Sequence, residues 1–293
     1  MGNAPHQRPH HQERGLQWRL SCVVFAILSA LLSAVPVVAN VAKTSRESVA
    51  PRSGMLIPLY MYPVPGAWDP LYTAIQTHPS VDFIVVINPA SGPGAGALPD
   101  SNFAREIMRM NSYPNVRTIG YVAANYGRKA AAEAFAEIGK YTGWSQSNPQ
   151  LAMQGIFLDE SPQLADSPNR TFLEQIRTNV KSNKALSGGL LVMNPGMIPD
   201  NQILQTADRT VVFEERYQTY VNLQAAKQLA ALPDRNALVC LMHSIPADMD
   251  KVQIKAIVNE LRELAGSIFL TDLSDLYYQQ FSPRFQDFVD AMV

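Results

Sequence analysis

The sequence predicts an α/β fold, a (β/α)8 TIM barrel, on three observations. Eight short apolar runs follow one another after residue 54, rich in β-branched residues and without the alternation of a one-faced strand. Strands of that kind are buried on both faces, as in parallel sheets. Helix-like stretches separate the runs, which makes the chain a series of βαβ units with right-handed crossovers. Polar and aromatic residues collect at the C-terminal ends of the runs, where a barrel builds its active site from the loops that follow its strands. A doubly wound open sheet is the competing arrangement. Eight repeats within residues 54–293 favour the closed barrel.

In order, the strands are read in MLIPLYMYP (55–63), VDFIVVINP (81–89), VRTIGYVAA (116–124) and GIFLDES (155–161), then GGLLVMNPG (188–196), RTVVFEER (209–216), NALVCLMHS (236–244) and SIFLTDL (267–273). Most end in turn residues. The first helix, 69–76, follows Trp68-Asp69-Pro70, a start signal with proline in the first turn. The second, 100–110, opens after Pro99. The third, 128–141, is alanine-rich, with Ala131, Phe135 and Ile138 at helical spacing. The fourth, 170–182, lines up Phe172, Leu173, Ile176 and Val180 on one face. A short helix is expected over 200–206, and longer ones over 219–232 and 247–265.

The N-terminal part differs. Residues 1–19 form a polar tail with His6, His10, His11, Arg8, Arg14 and Arg19. Residues 20–39, LSCVVFAILSALLSAVPVVA, carry no charge. About 20 such residues suffice to span a bilayer as a helix. A basic start, an apolar core and small residues at its end also fit a signal peptide. Residues 20–39 are therefore read as a signal peptide or a signal-anchor helix, and 40–53 as a linker without periodicity. Both readings send a barrel domain, 54–293, into the secretory pathway, either held at the membrane with its catalytic domain lumenal or extracellular, or secreted after cleavage. Residues 1–50 carry five Lys/Arg and two Asp/Glu, leaving the remainder mildly acidic at net −4. No basic excess points to nucleic acid. The two cysteines, Cys22 in the apolar segment and Cys240 in a strand, are not expected to pair. Asn169-Arg170-Thr171 has the pattern of a glycosylation acceptor.

The strand ends carry the chemistry. Tyr60 and Tyr62 come from the first, Asn88 from the second, and Tyr121 from the third, with Asn125 and Tyr126 beyond. Asp159 and Glu160 end the fourth, Asn194 the fifth, Glu214 and Glu215 the sixth, His243 the seventh and Asp272 the eighth. Taken singly, several have structural explanations. Asn88-Pro89 and Asn194-Pro195 are turn initiators, and Asp272 can cap a last helix begun by Leu273 and Ser274. Two carboxylate pairs at two strand ends are harder to explain as caps. Zinc motifs, a phosphate loop and a nucleophile elbow are absent from the sequence. A multi-carboxylate divalent site is the minor alternative. Ser161 and Ser244 lack an obvious base unless His243 serves. Carboxylates with tyrosines, a tryptophan (Trp68) and asparagines in one cleft describe a sugar site. Aromatic faces stack on sugar rings, and two carboxyl groups flanking a bond perform glycoside hydrolysis without a metal or cofactor.

These residues also resemble a known family. Tyr60-Met61-Tyr62-Pro63 with Trp68-Asp69-Pro70, Asn88-Pro89 with Ser91-Gly92-Pro93-Gly94, and Gly120-Tyr121 with Tyr126-Gly127 are similar to the spherulin-4-like proteins, glycoside hydrolase family 135. So are Gly155 to Pro162, Asn194-Pro195-Gly196, and Val212-Phe213-Glu214 with Tyr217. The ordered set spans about residues 55–220. The resemblance implies a TIM barrel and an endo-acting α-1,4-N-acetylgalactosaminidase on galactosaminogalactan, a fungal cell-wall and biofilm exopolysaccharide, within the polymer's biosynthetic pathway. An N-terminal membrane segment is part of what it implies. Asp159, Glu160 and Glu214 are the implied catalytic acids, with Glu215 the neighbour that a one-residue shift would select. Tyr60, Tyr62, Asn88, Tyr121, Tyr126, Asn194, Glu215, Tyr217, His243 and Asp272 are expected to bind substrate, and the protein is expected to be a monomer.

In an α-linked 2-acetamido sugar of the galacto series, the acetamido group lies cis to the leaving oxygen and cannot attack from the back face. A protein nucleophile or an activated water is then required. The expectation is retention, with Asp159 as nucleophile, Glu214 as acid/base and Glu160 orienting the sugar; Asp159 and Glu160 are interchangeable at this stage. A non-catalytic carbohydrate-binding wall or stress protein, and a hydrolase of deacetylated galactosaminide, are the alternatives.

Overall fold

The computed structural model describes residues 52–293. The readings placed on 1–51 (the polar tail, the apolar segment with Cys22 and nearly all of the linker) lie outside the described residues. Among the described residues no helix is long and apolar enough to cross a membrane.

Eight parallel strands close into a barrel in sequence order, the last pairing with the first through Gly54–Ser267 and Met55–Ile268. They are β1 (Gly54–Leu59), β2 (Phe83–Ile87), β3 (Val116–Ala123), β4 (Gly155–Asp159), β5 (Leu190–Met193), β6 (Arg209–Arg216), β7 (Leu238–His243) and β8 (Ser267–Leu270). The helices are α1 (Asp69–Thr77), α2 (Ser101–Met110), α3 (Ala131–Ser147), α4 (Ser167–Ser182), α5 (Asn201–Leu204), α6 (Tyr217–Asn222), α7 (Ala225–Ala230), α8 (Lys251–Leu264) and α9 (Phe285–Asp290). The apolar runs are shorter as strands than as sequence patterns, because their terminal turn residues leave the ladder to form the loops.

The expected burial on both faces holds: every residue of β2, β5, β7 and β8 is buried. In β4 and β6 the burial stops where the acids begin, at Asp159 and Glu214. One contact fixes the path of β3. A Cβ at Gly120 would sit 2.7 Å from the Tyr141 ring. Tyr141 lies over that glycine and donates its hydroxyl to the carbonyls of Tyr121 and Ile87.

Three of the longer helices start at side-chain caps. The carboxylates of Asp100, Asp166 and Asp250 each accept from backbone N–H groups of the first turn, and Asp250 with Gln253 completes a capping box. The Asp166 cap and Pro168 start α4 three residues ahead of the expected Arg170. Conversely α3 starts later, because Asn125 and Tyr126 take left-handed φ of 52° and 55° and hold the chain in a turn. The single helix expected over 219–232 is two, α6 and α7, broken at Gln224 with φ 48°. No helix begins at Asp272; the chain runs as loop to Phe285, so the expected cap is not made.

Candidate active site

The site is built where β4, β5 and β6 end. The backbone N–H of Asn194 donates to the Leu158 carbonyl at 2.9 Å, and that of Ser161 returns to the Asn194 carbonyl at 2.9 Å. These bonds set the asparagine beside the end of β4. Its side-chain oxygen accepts the Gly196 N–H at 2.9 Å, which fixes which way the amide faces. Its nitrogen then points at two carboxylates, Asp159 Oδ1 at 2.8 Å and Glu214 Oε2 at 2.7 Å. Two bonds to one nitrogen cap the separation of those oxygens at about 5.5 Å.

The other oxygen of each acid has its own donor. The Tyr121 hydroxyl donates to Asp159 Oδ2 at 2.8 Å, and the Tyr278 hydroxyl donates to Glu214 Oε1 at 2.7 Å. Tyr60 lies between these tyrosines, meeting each ring edge-on with centroids 5.4 Å apart. Its hydroxyl makes no hydrogen bond to a described residue, and its phenol feels the charges of Asp159 and Glu214. Burial, with the nearby carboxylates, raises Tyr60, Tyr121 and Tyr278 and keeps all three phenols protonated.

Part of Asp159 remains accessible, but its carboxyl is held below the rim. Burial pushes it up to about 7, and the Glu214 charge adds to the rise. The bonds from Tyr121, the Glu160 backbone and Asn194 oppose it. Asp159 is thereby poised to exchange its proton near neutral pH, beside the charge of Glu214.

The neighbouring acids differ in where their side chains lie. β6 shifts register against β7 between Val211 and Phe213, a local bulge. Phe213 packs edge-on against Tyr220 of α6, while Glu214 faces Asn194 and Tyr278. Glu215 is exposed and accepts weakly from the Arg216 N–H at 3.3 Å and the Thr219 hydroxyl at 3.4 Å. On β4, Asp159 meets the cluster. Glu160, one residue on, has φ 49°, and its carboxylate makes no hydrogen bond to a described residue. Its charge nevertheless acts on Tyr126 and Tyr121, which places it beside them near the rim.

The remaining expected residues divide. Tyr62 and Tyr126 stand on the rim at 49% and 50% exposure, open for stacking. Tyr62 also accepts from Asn102 at 3.0 Å. Asn88 uses its side-chain oxygen on the Gly92 N–H at 3.0 Å and shapes its own loop. His243 is buried, pairs with the Ser244 hydroxyl at 2.9 Å and stacks on Tyr277 at 4.2 Å. Asp272 is half-buried, with an oxygen that has no partner among the described residues. Tyr217, the first residue of α6, lines a small depression with Tyr220 and Ile257. Trp68, read as a sugar-facing ring, is 1% exposed and part of the core. Ser161 is buried against the Leu158 carbonyl. The Asn169 amide donates to the Leu164 carbonyl. Among the described residues no cluster of three or more His, Cys, Asp or Glu could hold a metal ion. An open groove of about 830 Å³ lies outside the barrel along α4, lined by Phe135, Arg170 and Glu174; it includes none of the candidate acids.

Sequence reasoning missed Tyr277 and Tyr278. Both sit in the loop after β8, where adjacent aromatics at a C-terminal strand end were the available signal. The reading of Asp272 as a helix cap obscured it.

Comparison with known proteins places this geometry. The profile of the spherulation-specific family 4 matches residues 54–292. Spherulin-4 of Physarum polycephalum is 30% identical over 213 residues, 72% of this chain; the match spans 59% of that relative's length. The crystal structure of Aspergillus clavatus Sph3 in complex with GalNAc superposes with a TM-score of 0.81 at 43% identity, covering 83% of this chain and 98% of that one. The catalytic domain of a GH18 chitinase from the fern Peteris ryukyuensis shares the fold, with a TM-score of 0.51 at 14% identity over 81% of this chain and 96% of its own.

Proposed function

This chain belongs to the spherulation-specific family 4, and from that premise we propose that it is an endo-acting glycoside hydrolase. In this reading it cleaves α-1,4-linked N-acetylgalactosamine in galactosaminogalactan-type polymers, with retention, during polysaccharide synthesis or remodelling. The observation that carries the reading is the single Asn194 amide bonded to both Asp159 and Glu214. The bridge holds one oxygen of each acid within about 5.5 Å of the other, which favours a nucleophile and an acid/base as in retaining enzymes over the wider gap that admits a water for inversion. The sugar bound to Sph3, a 43% identical neighbour, supports the substrate class.

Asp159 attacks C1 from the face opposite the leaving oxygen and forms a glycosyl ester. Glu214 delivers its proton to that oxygen, and the C1–O bond breaks. Glu214 then takes a proton from water, whose oxygen attacks C1 and releases Asp159. Catalysis uses the arrangement with the proton on Glu214 and Asp159 ionised; the bonds that Asp159 accepts from Tyr121, Asn194 and the Glu160 backbone offset part of the burial that raises its carboxyl. Tyr60, whose hydroxyl is uncommitted, donates to the sugar. Tyr62 and Tyr126 stack on flanking residues of the polymer.

Glu160 supports one alternative, a preference for deacetylated, cationic sugars, since its carboxylate is unpaired beside Tyr126. Release of reducing ends from N-acetylated and deacetylated polymer separates the readings. Release from the acetylated polymer, lost in Glu214→Gln, is expected. Release from the deacetylated polymer alone favours the alternative. Binding with no release by the wild type overturns the enzyme and leaves a carbohydrate-binding protein. For localisation we propose the secretory pathway, with residues 20–39 as signal or anchor. The chain enters the barrel at Ser53, whose hydroxyl donates to the Ala265 carbonyl at the end opposite the acids.

A further inference from the structure

We propose that Tyr278 is a positioning residue of this site: its hydroxyl fixes the carboxyl plane of Glu214 and supports its ionised form. The inference rests on the hydrolase reading and assigns a role to a residue outside the family motifs described above.

Glu214 has one donor on each oxygen, Tyr278 on Oε1 at 2.7 Å and Asn194 on Oε2 at 2.7 Å. Two donors on opposite oxygens stop rotation about the last side-chain bond. One lone pair on each oxygen is left for the glycosidic oxygen or the incoming water. Asn194 alone would act as a pivot; the second donor makes the carboxylate a fixed plane facing Asp159.

Tyr278 is itself held on several sides. Its ring meets Tyr60 at 5.4 Å, Tyr277 at 4.6 Å and Phe269 at 5.7 Å. Its carbonyl accepts the Tyr60 N–H at 2.9 Å, tying the loop after β8 to the end of β1 across the closure of the barrel. The chain reaches this position through a strained residue. Leu276, 50% exposed, has φ 49°, a region that leucine rarely occupies. The turn is closed by the Gln279 N–H to the Leu276 carbonyl at 2.7 Å and the Leu276 N–H to Asp275 Oδ1 at 2.9 Å. An exposed leucine gains nothing from that conformation itself. Its effect is to send consecutive tyrosines into the mouth, Tyr277 onto His243 and Tyr278 onto Glu214. Strain of this sort persists where the surroundings over-determine it, and it clusters at functional sites.

The test is Tyr278→Phe, which keeps every ring contact and removes one hydroxyl. On N-acetylgalactosamine polymer, kcat is expected to fall roughly 10- to 100-fold, the worth of one hydrogen bond to a charged group, with KM within about threefold. The alkaline limb of the pH profile should move upward, because the ionised carboxylate has lost a donor. A dinitrophenyl glycoside of the same oligosaccharide needs no proton at its leaving oxygen, so its glycosylation step in single turnover should slow less than the polymer reaction. A merely structural tyrosine would move neither the pH limb nor the leaving-group dependence. Wild-type kcat in Tyr278→Phe, or an equal loss on both substrates with an unmoved pH limb, overturns the proposal. A wild-type protein that releases no reducing ends from either polymer overturns the hydrolase reading instead, and with it the role for Tyr278.

Discussion

Replacing Asp159 by asparagine should stabilise the barrel while abolishing turnover. Burial and the Glu214 charge raise the Asp159 carboxyl from 3.8 to about 7. An acid raised in the folded state binds its proton more tightly there than in the unfolded chain. Its contribution is therefore fully present below about pH 4 and is lost as pH rises to 7. Three pH units at about 1.4 kcal/mol each give a penalty of about 4 kcal/mol for holding the ionised acid at pH 8. Asparagine has nearly the same shape and no charge to desolvate. Asp159→Asn is expected to gain about 2–4 kcal/mol at pH 8, shrinking to about 1 kcal/mol at pH 4.5. At roughly 2–4 °C per kcal/mol for a domain of this size, that is about 5–15 °C in Tm at pH 8. Thermal unfolding followed by circular dichroism between pH 4.5 and 8 checks it. A variant no more stable than wild type at pH 8, or a gain that does not diminish in acid, would refute the burial argument.

The same titration governs activity: Asp159 must lose its proton to act as nucleophile, so kcat/KM should rise as pH climbs toward about 7, and a profile flat or falling between about pH 5 and 7 contradicts this. Asn194→Ala removes the donor common to both acids and should lower kcat roughly 10²- to 10³-fold, read by reducing-end release. Glu214→Gln should be inactive, whereas Glu215→Gln should stay within about threefold of wild type, because Glu215 faces solvent. The reverse pattern would exchange their roles. Gly120→Ala pushes a methyl into the Tyr141 ring and should cost about 1–3 kcal/mol in chemical denaturation.

The barrel was legible because its strands are continuous apolar runs bounded by turn residues, and because eight of them alternate with helical spacing. The same property hid the finer detail. A strand buried on both faces carries no alternation, so its sequence does not say which neighbour points inward. Whether Glu214 or Glu215 faces the mouth depends on the β6 register shift against β7. Whether Asp159 or Glu160 meets the cluster depends on a left-handed turn at Glu160, which glutamate composition does not announce. Asn194 was recognised as a site residue, but as a sugar ligand; its two carboxylate bonds come from tertiary placement. Trp68 was misjudged, since an aromatic beside a turn reads alike whether it is buried or on a rim. Tyr278 went unread because its loop has neither strand nor helix pattern, and only the closure of β8 onto β1 brings it to Glu214.

The central claim is that Asp159 and Glu214, bridged by Asn194, work as a nucleophile and acid/base pair. Anomer-resolved proton NMR of the first product released from N-acetylgalactosamine polymer tests it most directly. The account predicts that the α-anomer appears first and then mutarotates toward β; a β-anomer at the earliest time points would contradict it.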